Sequence, residues 1–141
     1  MWSNRTDEEA DADPRAVWEL IVAVHSGERT VEGHESYATE GPLANGAVVR
    51  PVVDSFVGPE LQVVEYEAGR RYAHEFAIRR YVVRMGYTIE PRAEGGTRLI
   101  RTIDITGPYA DLAMAGLGQH LITVYAPQAR ALLEASGSAP E

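Results

Sequence analysis

Chemistry in this chain falls to arginine, histidine, tyrosine and carboxylates. The 141 residues contain neither cysteine nor lysine. A disulfide framework, thiolate metal sites, a thiol nucleophile and Schiff-base chemistry are thereby excluded. The four histidines are scattered and no two stand at i, i+4 spacing, so a helix-borne zinc site is not expected, nor any other cofactor. His74 is the candidate proton carrier, because an imidazole titrates near 6.5. Arg101 is the candidate binder of a ligand carbonyl or carboxylate, because a guanidinium presents forked donors. Tyr87 offers a hydroxyl that can stabilise an enolate-like oxygen.

Strand alternation decides whether these side chains can meet. In 97–106 the odd set Leu99, Arg101, Ile103 and Ile105 is the inward one. In 81–90 it is Tyr81, Val83, Met85, Tyr87 and Ile89, and in 70–79 the even set Tyr72, His74, Phe76 and Ile78. Tyr37 is the inward residue of 34–39. In 47–56, Arg50 and Asp54 share a face, and either face fits burial. Each candidate has a plain structural alternative. Arg101 inside the core costs several kcal/mol unless it snorkels to a rim or meets a structural carboxylate. His74 can equally be a core histidine with one hydrogen-bond partner. The tyrosines can be core rings with a hydroxyl at the edge. His120 falls at the boundary of a helical stripe.

The elements that must carry these residues are readable from pattern. Asp13 caps and Pro14 opens a helix whose residues Val17, Trp18 and Ile21 share a face, and it fades by Ser26-Gly27. Turns at Gly41–Gly46, Gly58-Pro59, Gly69 and Glu94-Gly95-Gly96 separate alternating runs. Gly107-Pro108 stops the sheet. A helical, alanine-rich segment follows from Tyr109 to Ala135, with Met114, Leu117, Leu121, Val124, Gln128 and Leu132 on one stripe. Pro127 is expected to kink or split that helix. Gly116 and Gly118 each cost about 1 kcal/mol in a helix interior. They signal either close packing on the sheet or room for a ligand. The pattern predicts one α+β domain over 1–141: a first strand in about 1–12, a curved antiparallel sheet of six to seven strands wrapped on a long C-terminal helix, an internal cavity, and a tail over 136–141.

Four stretches carry a resemblance. Asp13-Pro14-Arg15-Ala16-Val17-Trp18, Gly41-Pro42-Leu43-Ala44-Asn45-Gly46, Val63–Ala73 and Tyr87-Thr88-Ile89-Glu90-Pro91 with Gly95-Gly96-Thr97-Arg98-Leu99 stand in the order of matching motifs in the SRPBCC superfamily. The chain resembles that START-like, helix-grip group, and its polyketide cyclase/dehydratase-like branch in particular. Ala68 stands where the family usually has proline. The resemblance implies an apolar cavity between sheet and helix, and not a particular reaction. Its lining would include Tyr37, Tyr72, Phe76, Tyr81, Val83, Met85, Leu99 and Ile103 from the sheet and Leu117 and Leu121 from the helix.

Composition narrows the partners. The formal net charge is −8 with no basic block, which disfavours nucleic acid and anionic membranes. No 18-residue apolar run exists, and the acidic start lacks the apolar core of a signal peptide, so a cytoplasmic protein without a membrane span is expected. The expected partner is a hydrophobic small molecule, with a homodimer as a further option. Three functions fit: a cofactor-independent cyclase, aromatase or dehydratase of secondary metabolism, a non-catalytic carrier or sequestering resistance protein, and a chaperone-regulator-like interaction module.

Overall fold

The computed structural model describes residues 1–53 and 56–137, with residues 56 and 57 by backbone alone. Strand β1 (Trp2–Ala10) is followed by helix α1 (Pro14–His25). The Asp13 carboxylate accepts from the Arg15 N–H at 3.4 Å, and Pro14 loses nothing at the first helical position. Val17, Trp18, Leu20, Ile21, Val24 and His25 are the buried residues of α1.

Strands β2 (Ser36–Thr39), β3 (Val48–Val53), β4 (Phe56–Val57), β5 (Leu61–Glu67), β6 (Arg71–Ile78), β7 (Tyr81–Pro91) and β8 (Thr97–Thr106) then build the sheet. All pairings are antiparallel, in the order β1-β8-β7-β6-β5-β3-β2, with the two-residue β4 paired to β3 off that path. Consecutive hairpins make most of the neighbours, while β1 is recruited to the far edge of β8. Between Val63 and Glu65 the β5–β6 register slips by a bulge, a device that bends a strand and raises its twist.

The C-terminal segment forms a one-turn helix α2 (Ala110–Ala113) and then the 22-residue helix α3 (Ala115–Ser136). Here expectation and structure part. The interruption lies at Met114, not at Pro127, and α3 runs through the proline unsplit. The physical reason is exposure. Pro127 and Thr123, whose carbonyl loses its intrahelical partner, both face solvent, so water can take the bond. The buried stripe also differs. Val124 is 42% exposed, and the inward face instead runs through Gly118, Leu121, Tyr125, Gln128, Ala129 and Leu132. His120 is exposed. In the sheet, the run expected over 34–39 begins two residues later, which leaves His34 and Glu35 in the preceding loop. Arg50 is half-buried and donates to Glu60 at 2.6 Å, whereas Asp54 lies outside the described residues, as do 138–141 of the expected tail.

The core lies between one face of the sheet and helices α1 and α3, in two clusters. The larger joins α1 and the inner face of α3 to Tyr37, Val63, Tyr72, Tyr87, Ile89 and Leu99. The smaller holds Val83, Met85, Ile103, Ile105 and Leu121, with Trp2, Tyr81, Leu117 and Tyr125 against it. Phe76 packs on both.

Candidate functional site

Arg101 stands at the seam of these clusters. Its register partner on β7 is Tyr87, and the guanidinium carbon lies 4.2 Å from the centre of that ring, which belongs to the larger cluster. On the other side are Met85 and Tyr125 of the smaller one, with Nη2 at 3.9 Å from Met85 Sδ and the Tyr125 ring centre at 5.9 Å. The residue is 1% exposed. Its Nε and Nη1 have no hydrogen-bond partner, and no carboxylate among the described residues lies within ion-pair distance. Neither structural alternative for this residue therefore holds: it does not snorkel out, and no carboxylate meets it. A thioether is a weak acceptor. The aromatic face attracts the cation but leaves its in-plane N–H groups free.

Around Arg101 gather three histidines and four tyrosines, Tyr37, Tyr72, Tyr87 and Tyr125. His25 comes from the last turn of α1, His34 from the loop before β2, and His74 from β6. The ring centre of His25 is 5.7 Å from that of His34 and 5.8 Å from that of His74. Tyr37 stacks on His25 at 4.7 Å, and Tyr72 tilts against it at 4.3 Å. Alternation explains the convergence. Tyr72 and His74 are two apart on β6, and Tyr87 and Arg101 face each other across β7 and β8, so all four project from one face of the sheet.

Hydrogen bonds fix the tautomers of two of the three neutral rings. His34 Nδ1 lies 2.8 Å from the Glu35 carbonyl, which can only accept, so Nδ1–H donates. Nε2 of the neutral ring then accepts a hydrogen bond from the Tyr87 hydroxyl at 2.9 Å. His25 Nδ1–H donates likewise to the Ile21 carbonyl at 2.7 Å, which leaves Nε2 a bare acceptor without a partner. His74 Nδ1 pairs with the Tyr72 hydroxyl at 3.0 Å, and its Nε2 is also unpartnered. Tyr37 donates to the Glu35 carboxylate at 2.9 Å.

Burial and the Arg101 charge keep the histidines neutral. Desolvation first, then Arg101 and His34, push His74 down to about 3. His34 falls to about 4, chiefly by burial. His25 lies well below its ordinary value, by burial and then the neighbouring His74 and His34. Burial raises Tyr37, Tyr72 and Tyr87 above 10, and holds Tyr125 at about 12. No group of three or more histidines, aspartates or glutamates among the described residues is placed to hold a metal ion.

The sequence-predicted residues fall into two sets. Tyr37, Tyr72, His74, Tyr87, Met85 and Arg101 come together here. Val83, Ile103, Leu117, Leu121 and half-buried Tyr81 lie in the smaller cluster, and Leu99 in the larger. The Tyr81 hydroxyl donates to the Pro108 carbonyl at 2.9 Å and so ties down the end of β7. Phe76 lines an open cleft of about 410 Å³ with Val48, Leu61 and Val82. Sequence reasoning missed His25, His34, Glu35 and Tyr125. His25 had a signal, since it continues the Trp18–Ile21 face one turn on. Loop residues His34 and Glu35 had none.

No protein-family model matches the chain, and no curated protein matches it. Solved structures do. Norcoclaurine synthase from Thalictrum flavum superposes with a TM-score of 0.70 at 8% identity, over 95% of this chain and 86% of that one. The chain has the helix-grip fold. A protein of Staphylococcus saprophyticus matches this helix-grip chain with a TM-score of 0.64 at 14% identity over 99% and 96% of the two lengths. A hypothetical protein of Helicobacter pylori does so with 0.67 at 14% over 95% and 86%. At these identities the likeness concerns the fold alone. No helix among the described residues is long and apolar enough to cross a membrane.

Proposed function

We propose that this helix-grip chain binds a hydrophobic, oxygen-bearing small molecule, polyketide- or lipid-like, between its sheet and helices. One observation carries the reading: Arg101, 1% exposed, keeps two guanidinium nitrogens without a partner, and the buried Nε2 atoms of His25 and His74 are orphaned beside it. Buried polar groups are nearly always satisfied, so a cluster of orphans among aromatic rings calls for a partner from outside the chain. The surrounding apolar side chains suit the rest of such a molecule.

Cofactor-independent cyclase or dehydratase chemistry would use the same residues. His74 would move the proton, and Arg101 would hold the developing oxyanion. Against chemistry stands the basicity of His74. A base pushed down to about 3 is far from the neutral range where proton transfer is most effective, and the Tyr87 proton is already committed to His34. Binding without turnover, as a carrier or sequestering protein, therefore has the stronger support.

Native mass spectrometry of freshly purified protein tests the proposal. The expected result is an apolar adduct that survives gentle activation and is lost from Arg101→Ala. A bare chain that also takes up nothing from a panel of lipids and polyketides would remove the reading. If a molecule is captured and chemically altered, and His74→Ala abolishes the change, the cyclase or dehydratase reading prevails over the carrier.

A further inference from the structure

We infer that the interior site is built for an organic monocarboxylate, whose carboxylate oxygens accept from the free guanidinium donors of Arg101. This rests on the proposal that the chain binds a small molecule, and it names the class.

Geometry excludes most substitutes from within the protein. The Tyr87 ring centre lies 4.2 Å from the guanidinium carbon, and Nε and Nη1 are the donors left without a partner. A carboxylate oxygen accepts from such donors in a charge-assisted bond, stronger than one to a neutral acceptor. The carboxylate that approaches the cluster, Glu35, already accepts from Tyr37 at 2.9 Å and makes no ion pair with Arg101. A ketone, ester or amide oxygen would satisfy donors but leave the charge unbalanced. A buried charge without a counter-charge is expensive.

The number of charges points the same way. The three histidines are neutral, each with its Nδ1 engaged by a carbonyl or a tyrosine hydroxyl. Arg101 is then the one cation among the described residues of the cluster and has no ion-pair partner, while the Glu35 carboxylate already brings one negative charge nearby, so a monoanion suits the site better than a phosphate dianion. The walls are apolar beyond that point, with Leu99 and Ile103 flanking Arg101 on the inner face of β8. The bare Nε2 of His25 adds a place for a donor, such as a hydroxyl on the same acid.

The test uses isosteric pairs: octanoate against octanamide and benzoate against benzamide. Binding is measured by calorimetry at pH 7 on protein stripped of bound molecules by unfolding and refolding. The expected result is that at least one acid binds ten-fold or more tightly than its amide, and that this preference disappears in Arg101→Met. If Arg101→Met does not fold, Arg101→Lys replaces it and should retain a reduced preference. Equal affinity of acid and amide overturns the carboxylate assignment while leaving small-molecule binding in place. Failure of all four probes to bind the wild type also overturns the carboxylate assignment, and the small-molecule reading then stands or falls by the native mass spectrometry alone.

Discussion

Arg101 and Tyr87 face each other across adjacent strands, the guanidinium carbon 4.2 Å from the ring centre, and this cation–π contact is the main protein interaction the buried charge has. Such contacts contribute about 2 kcal/mol or somewhat more when desolvated. That falls short of the several kcal/mol that an unpaired buried ion costs. Arg101 should therefore weaken the empty protein. Arg101→Met, which keeps an unbranched apolar stem, is expected to raise the stability of the ligand-free protein by about 1–4 kcal/mol. Urea midpoints of wild type and variant check this. A loss of stability of similar size would mean that Arg101 is paired in solution.

The same site should make the fold acid-sensitive. Histidines bind protons near pH 6.5 when unfolded, whereas His34 and His74 in the fold wait until about 4 and about 3, and His25 also lies well below its ordinary value. Between these limits the unfolded chain holds more protons, so stability increases with pH. The contribution is complete above about pH 6.5 and declines as pH falls, and the shares of His34 and His74 are lost as pH passes through about 4 and about 3. Each histidine contributes a slope of about 1.4 kcal/mol per pH unit within its own window. The groups facing them are Arg101, Glu35, Tyr37, Tyr72 and Tyr87. None of the tyrosines titrates there, and Asp7, lowered by Arg98 and Arg5, adds a loss in the same direction that begins near pH 5. Denaturation midpoints at pH 7, 6, 5 and 4 should fall steadily, and His34→Gln should flatten the curve. A flat profile down to pH 4 would contradict buried neutral histidines.

Tyr87→Phe separates the ring from its hydroxyl. The ring would still cover Arg101, but His34 Nε2 would lose its donor at 2.9 Å and become a buried unsatisfied acceptor. The expected cost is about 1–3 kcal/mol in stability. Affinity for the small molecule should change little, because the hydroxyl proton points at His34. Loss of binding without loss of stability would place Tyr87 in direct contact with the ligand.

How much of this was legible in the sequence follows the period of each element. Strand alternation put Leu99, Arg101 and Ile103 on one face of β8, with Tyr87 and Met85 beside them, because a two-residue period allows only two answers. The same rule could not place His34 or Glu35, which lie in a loop with no period to read. In α3 the inward position of the apolar stripe is Tyr125 and not Val124. A helix rich in alanine gives a weak contrast between faces, and Tyr125 is amphipathic. Pro127 does not split α3, and the physical reason lies in exposure that no sequence pattern records: Pro127 and Thr123, whose carbonyl it frees, both face solvent.

Gly116 and Gly118 looked alike in sequence, and the fold separates them. A Cβ at Gly118 would overlap the indole of Trp2, which reaches α3 from β1 at the far edge of the sheet, whereas a Cβ at Gly116 meets nothing within 4 Å. Gly118 is thus a close-packing glycine that lets the helix lie against the β1–β8 edge. Gly118→Ala should destabilise by about 1–3 kcal/mol, since overpacking must push aside an aromatic ring rather than a flexible chain. Gly116→Ala should instead stabilise, by up to about 1 kcal/mol and less if the first turn of α3 frays. Thermal melts of the two variants, with Trp2→Leu as the partner change, decide it. If Trp2→Leu removes the penalty of Gly118→Ala, the contact between strand and helix is its source. If both glycine variants melt alike, close packing at Gly118 is wrong, and the pair marks a loose start to the helix.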